Sequence, residues 1–320
     1  MRASLAVAAG LVLLSGCARK GEREIAMIPK STASVFWQSV QAGAIAAGEE
    51  NHIKITWTGP PSETDYSRQI EILDSMIARH VDGIAIAASE RNALNNSLDR
   101  AARENIPVTV FDSGVDSTNY MTFLATNNYE AGKDGARELA RLLGGKGNVA
   151  EIQHAPGSAS TMDRERGFEE VIAKDFPGIH IIARQYSQGD REKGMNVTEN
   201  ILTAHPNLAG IFASSEPSSV GAARALKARG LSGKVKFVAF DSSQGLIDDL
   251  QDGTIDALVA QDPFKLGHDA IMTLAEKLNG KTPPKKVDLS ARVITKADLS
   301  KPDVHALLYP DIEKYLKMAR

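Results

Sequence analysis

Short apolar runs alternate with stretches of helical spacing almost from end to end. This alternation constrains the fold more than any other feature of the chain. Residues 25–28 and 83–88 are continuous apolar runs, 53–57 alternates like a strand, and 107–111 is a fourth strand. Between them, residues 36–50, 66–79 (with Ile70, Leu73 and Ile77 on one face) and 93–104 have helical spacing. The pattern restarts with helices over 130–143, 164–175, 194–205, 220–229 and 247–250, and strands over 149–152, 179–186, 208–213, 235–240 and 257–260. A long helix over 264–278 and a last strand over 287–294 follow, and the tail from Asp298 carries little signal. Strands buried on both faces read as unbroken apolar runs, and their alternation with helices makes a parallel sheet covered on both sides. The chain therefore reads as α/β, with two similar doubly wound, Rossmann-like sheets, one before and one after about Asn127. Its 320 residues suit two domains.

The fourth strand of each unit ends in the same way, with Phe111-Asp112-Ser113 in the first and Phe240-Asp241-Ser242 in the second. Ligands of open α/β sheets bind outside the carboxyl ends of the strands. Two facing sheets would put both aspartates on opposite walls of one cleft. Either aspartate alone reads equally as a turn or helix cap, and the duplication favours a binding role. Phe36 and Trp37 open the first helix. Being adjacent, they cannot share a helix face, so at least one is free for a cleft. On spacing alone Arg164 reads as solvated surface charge, and Ser215 and Gln261 carry no signal of their own.

The N-terminus points to export. Arg2 precedes a 14-residue run of small and apolar residues that ends in Leu14-Ser15-Gly16-Cys17. That run is too short to span a bilayer of roughly 30 Å as a helix, and it suits the core of a secretory signal. The ending matches a bacterial lipobox, with residues 1–16 as signal peptide, Cys17 as the acylated anchor and 17–23 as a tether. Cys17 is the only cysteine, which excludes an internal disulfide and a cysteine-rich metal site. A net charge of -3 gives no electrostatic reason to expect nucleic acid.

Catalytic patterns are missing. Asp241-Ser242-Ser243-Gln244-Gly245 lacks the leading glycine of a nucleophile elbow, and the stretch 230–234 is no phosphate loop. Gly144 to Gly147 follow a helix and precede a strand, the reverse of a dinucleotide loop, so they read as a helix C-cap. The seven histidines have no metal-ligand spacing, and only His154 follows a strand near the expected cleft. No metal or cofactor is expected. What remains is carboxylates, an arginine and rings, which suit an uncharged polyol: charged forks bond paired hydroxyls and rings cover C–H faces.

Several stretches together resemble the periplasmic sugar-binding proteins of the ribose-binding type, which share their fold with the ligand-binding cores of lactose-repressor-like regulators. They are Ile106-Pro107-Val108 leading to Phe111-Asp112, Arg164-Glu165-Arg166-Gly167-Phe168, the segment 200–206, Gly210-Ile211-Phe212-Ala213, Val238-Ala239-Phe240-Asp241 and Ala260-Gln261. The resemblance implies ligand contacts at Phe36, Trp37, Asp112, Arg164, Phe240, Asp241 and Gln261, with Ser113 and Ser215 at neighbouring family positions. It also implies a three-segment hinge near Asn127, Gln261-Asp262 and Leu289-Ser290. The domains would then be 24–126 plus 262–289, and 127–261 plus 290–320. Three departures stand out: Ser113 replaces an arginine, Ser215 an asparagine, and Gly189 or a neighbour a phenylalanine. They predict a roomier, less basic pocket.

The expected function is a monomeric solute-binding lipoprotein of an ABC importer, periplasmic or on the cell surface. It would capture a small neutral sugar or polyol and deliver it to a permease and its ATPase. The alternative is a sensory protein presenting the ligand to a membrane receptor. An exported sugar-processing enzyme is the weaker reading, so no catalytic residue is assigned.

Overall fold

The computed structural model describes residues 22–317, and the signal segment and Cys17 lie outside the described residues. The first unit runs β1 (Glu24–Ile28), α1 (Val35–Asn51), β2 (Lys54–Trp57), α2 (Tyr66–Ala78), β3 (Gly83–Ile86), α3 (Asn95–Arg103), β4 (Val108–Phe111) and β5 (Thr122–Thr126). The second runs α4 (Asn128–Leu143), β6 (Lys146–Gln153), α5 (Ala159–Asp175), β7 (Gly178–Tyr186), α6 (Arg191–Ala204), β8 (Leu208–Ala213), α7 (Glu216–Ala228), β9 (Lys236–Phe240), α8 (Gln244–Asp252) and β10 (Ala257–Ala260). The chain continues through α9 (Pro263–Leu278), β11 (Lys286–Leu289), β12 (Arg292–Thr295), α10 (Pro302–Leu308) and α11 (Glu313–Leu316).

Two six-stranded sheets result, ordered β2-β1-β3-β4-β5-β11 and β7-β6-β8-β9-β10-β12. Strand pairing is parallel throughout except for β10 with β12. The two units thus repeat one topology, and in each the order reverses beside the first strand, where a crevice opens at the strand ends. β1 shows why these strands read as apolar runs: Ile25 and Met27 enter one core cluster, and Ala26 and Ile28 enter the cluster on the opposite face. Polar residues hold the helix starts. Ser34, Asp65, Asn127, Asp190 and Asp262 each accept a backbone N–H from the first turn of the helix that follows. Gly144 closes α4 in the left-handed conformation, as a C-cap.

Three features differ from the sequence reading. The single strand expected over 287–294 is two strands: β11 joins the first sheet and β12 the second, where it runs antiparallel. β5, which the apolar pattern did not separate, lies between β4 and β11. The tail, assigned wholly to the second domain, divides. Val304 and Leu308 of α10 enter the second unit's core, whereas α11 packs on α1, with Tyr315 tilted against Phe264 at 5.7 Å.

Each unit carries a tight helix crossing beside the cleft, α1 on α9 and α4 on α5, and the second unit has another, α6 on α7, through Gly194 and Gly221. A Cβ on Gly43 would strike the Phe264 carbonyl, and one on Gly267 would strike that of Val40. In the second unit, a Cβ on Gly132 would strike the Arg164 carbonyl and one on Gly167 that of Tyr129. The backbones touch where these glycines face each other. Gly132→Ala is therefore expected to destabilise the protein by about 2 kcal/mol or more and to shift Arg164. Gly245→Ala on α8, where a Cβ meets open space, should be neutral. Thermal melts of the two variants check this.

Candidate functional site

The duplicated Phe-Asp-Ser proves to be a duplicated turn. Asp112 and Asp241 both sit in the left-handed region, at φ 58° and 70°. Aspartate is among the few residues that enter this region at modest cost. Each donates its backbone N–H to the neighbouring strand, to the Leu124 and Val259 carbonyls respectively, both at 2.9 Å. Each carboxylate is buried and lines one interdomain cavity.

The second unit's wall is built around Asp241. Its Oδ1 accepts from Gln261 Nε2 at 2.7 Å and its Oδ2 from the Glu216 backbone N–H at 2.9 Å. Arg164 Nη1 stands 3.9 Å from Oδ2. Arg164 does not open its helix: α5 begins at Ala159, which places Arg164 in the second turn, where it is buried. Its Nε donates to Asn128 Oδ1 at 2.8 Å and its Nη1 to the Ser214 carbonyl at 2.9 Å. The guanidinium lies 3.9 Å from the centroid of the Phe240 ring. Phe240 is fully buried and does not line the cavity, so its ring is a platform for Arg164. Ser215 Oγ bonds His154 Nδ1 and Ser218 Oγ, both at 3.0 Å.

The first unit's wall is formed by Phe36 and Trp37, packed edge to face at 5.0 Å, with both side chains reaching the cavity. The Trp37 indole donates to Glu63 Oε1 at 2.8 Å. Lys30, two residues past β1, is buried 3.6 Å from Asp112 and donates across the cleft to Ser158 and Ser160 Oγ, both at 3.0 Å. Ser113 lies behind the cavity, and its Oγ accepts the Ser160 N–H at 3.3 Å. A second cross-cleft pair joins Glu63 to His154 Nε2 at 3.1 Å.

The roomier pocket expected from the missing ring is not what forms. The walls enclose only about 30 Å³. At Gly189, φ 67°, a Cβ would sit 3.0 Å from the His154 ring and 3.5 Å from Glu63 Cβ. His154 and Glu63 therefore fill the space beside Gly189. The sequence reading singled out His154 among the histidines and noted Ser215-Glu216 after a strand, but missed Lys30 and Glu63. Lys30 follows a strand end, a position that flags it in retrospect. Glu63 sits in a Pro-Pro-Ser-Glu-Thr-Asp loop that reads as an ordinary solvated turn.

The electrostatics follow from this packing. Burial would raise the Glu63 carboxyl, but the bond from His154, the charges of His154 and Lys30, and the Trp37 indole draw it down to about 2. Burial raises Asp112 against the pull of Lys30 and Arg164, and Glu63 and Asp241 add to the rise. Burial likewise raises Glu216, opposed by Arg191.

Known proteins share this architecture. The family model for the periplasmic binding protein domain matches residues 25–282. The ribose import binding protein RbsB of Haemophilus influenzae is 27% identical over 290 residues, 91% of this chain and 97% of that one. The D-allose-binding periplasmic protein of Escherichia coli is 28% identical over 271 residues, 82% of this chain and 86% of that one. A carbohydrate transporter solute-binding protein from Agrobacterium radiobacter, solved with D-arabinose, superposes with a TM-score of 0.88 at 34% identity, covering 91% of this chain and 100% of that one. An ABC transporter solute-binding protein from Agrobacterium vitis, solved with D-fucose, gives 0.87 at 34% identity, covering 89% and 100%.

The Glu63 pair carries a pH prediction. A carboxyl held below its ordinary value of 4.5 stabilises the fold above that pH and loses the contribution as pH falls toward about 2. Glu63→Gln is expected to cost about 2 kcal/mol at neutral pH, because it leaves His154 without its partner. The gap between variant and parent should narrow from pH 4.5 downward. Denaturant melts across that range measure it.

Proposed function

Because the chain belongs to the periplasmic binding protein domain family, we propose that it is the solute-binding component of an ABC importer that captures a small sugar or polyol between its two units. The observation that carries this reading is the pair of left-handed aspartates, Asp112 and Asp241, aimed from opposite sheets into one cavity. Carboxylates bond paired hydroxyls strongly, and an arginine fork held by Asn128 and the Ser214 carbonyl presents its remaining donors without rearranging. Phe36 and Trp37 supply ring surface for C–H faces. The relatives that carry sugar names or were solved with sugars support the same ligand class.

In this reading Asp112, Asp241, Arg164, Gln261, Ser215, Phe36 and Trp37 touch the ligand. Phe240 and Ser113 act from behind, one under Arg164 and one tying the α5 start to the first unit. The domains are 24–126 with 262–289, and 127–261 with 290–308, hinged where the chain passes between the sheets, and α11 returns to pack on the first unit. Closure is favoured by a ligand that contacts both walls at once. The lipobox at Cys17 anchors the mature protein to a membrane outside the cytoplasm, where it hands its ligand to a permease driven by an ATPase. No step of this function breaks a covalent bond in the ligand, and the protein works as a monomer.

A panel of D-ribose, D-allose, D-arabinose, D-fucose, D-tagatose and common polyols tests this by thermal shift. A ligand at a hundredfold excess over its Kd adds about 2.7 kcal/mol of stability. That amounts to a rise of roughly 5 °C in Tm for a chain of this size. Asp241→Ala should abolish the rise, because it leaves ligand hydroxyls unpaired in a dry cleft. A panel with no active member contradicts the reading.

A further inference from the structure

The charges around the cleft are already paired with one another. Lys30 faces Asp112, Arg164 faces Asp241, Arg191 holds Glu216 Oε1, and His154 faces Glu63. Among the described residues at the cavity, no cation stands without its own carboxylate. Four carboxylates (Glu63, Asp112, Glu216 and Asp241) line it, against two permanent cations, Lys30 and Arg164.

At the cavity, the polar side-chain atoms that are wholly cut off from solvent and lack a partner are acceptors. Gln261 Oε1 and Glu216 Oε2 are both buried with no donor among the described residues. Both belong to the Asp241 cluster, since Gln261 donates to Asp241 Oδ1 at 2.7 Å and Glu216 N–H to Oδ2 at 2.9 Å. Their residues are 3% and 1% exposed and line the cavity. Buried acceptors left without donors carry a desolvation penalty, and a ligand that supplies protons removes it. A hydroxyl has one proton to give, whereas an ammonium has three and a positive charge besides. A carboxylate or phosphate has no proton to give these atoms and brings a further anion beside four carboxylates whose cations are already engaged.

We infer that the cleft is selective for charge as well as shape: it admits a sugar or polyol bearing one amino group at least as well as the neutral compound, and rejects the corresponding acid. The inference rests on the sugar-binding reading and narrows it. The donors of the amine would meet Gln261 Oε1 and Glu216 Oε2 beside Asp241.

Matched trios test it by isothermal titration of the full chain at pH 7. Suitable sets are D-glucose, D-glucosamine and D-glucuronate; D-galactose, D-galactosamine and D-galacturonate; and sorbitol, 1-amino-1-deoxysorbitol and gluconate. In at least one trio whose neutral member binds, the amine should bind as tightly or tighter, and the acid roughly a hundredfold weaker or worse. Glu216→Gln, which removes one of the acids, should narrow the gap between amine and acid by at least about threefold. An acid that binds within tenfold of its neutral partner overturns the inference, as does an amine more than tenfold weaker in every trio. These results leave neutral-sugar binding intact. If no neutral or amino compound binds, in these trios or in the sugar panel, the sugar-binding reading itself falls and this inference falls with it.

Discussion

The site depends on two places where helix backbones touch. Helices packed through ordinary side chains stand 8–10 Å apart, and only glycine on both sides allows a closer approach. In the second unit Gly132 and Gly167 bring α4 against α5, with the Gly132 Cα set under the Arg164 carbonyl. That contact fixes the height of Arg164 above the strand ends, so that its guanidinium sits over the Phe240 ring and reaches toward Asp241. The first unit repeats the device with Gly43 and Gly267, which seat α1 so that Phe36 and Trp37 hang over the carboxyl ends of β1 and β4. In both cases the second helix of the pair, α4 or α9, begins where the chain has just passed from one sheet to the other. The crossing therefore ties each cavity-facing helix to a segment that passes between the sheets.

On that frame the two walls meet through charges. Lys30 reaches two serines at the start of α5, and Glu63 reaches His154. Salt bridges at this degree of burial cost desolvation, and removing one partner costs more than the intact pair contributes. Their value here lies in geometry, because each exists only when the walls are together. Burial raises the carboxyls of Asp112 and Glu216, and the nearby charges of Glu63 and Asp241 add to the rise.

Much of this was legible in the sequence, for physical reasons that also mark its limits. Parallel strands buried on both faces must be apolar throughout, so β1, β3, β8 and β9 stood out, and the repeated Phe-Asp-Ser located the two turns. Helix starts were read late: α5 begins five residues before Arg164, because Ala159-Ser160-Thr161-Met162-Asp163 carries no apolar stripe. β11 and β12 merged because only Ser290 and Ala291 separate them, without a turn signal. Phe240 could be placed after a strand, but which face its ring took depended on Arg164. Glu63 was invisible, since a polar residue in a loop looks solvated until another domain covers it. The packing of His154 and Glu63 beside Gly189 is tertiary and leaves no local pattern.

The central claim is that Asp112 and Asp241 grip one ligand from opposite walls and that this grip draws the two units together. Small-angle scattering measures it most directly, with the radius of gyration followed before and after the sugar that raises the melting temperature most. The account predicts a smaller radius on saturation in the parent protein and no change in Asp241→Ala. An unchanged radius in the parent at saturating sugar would contradict it.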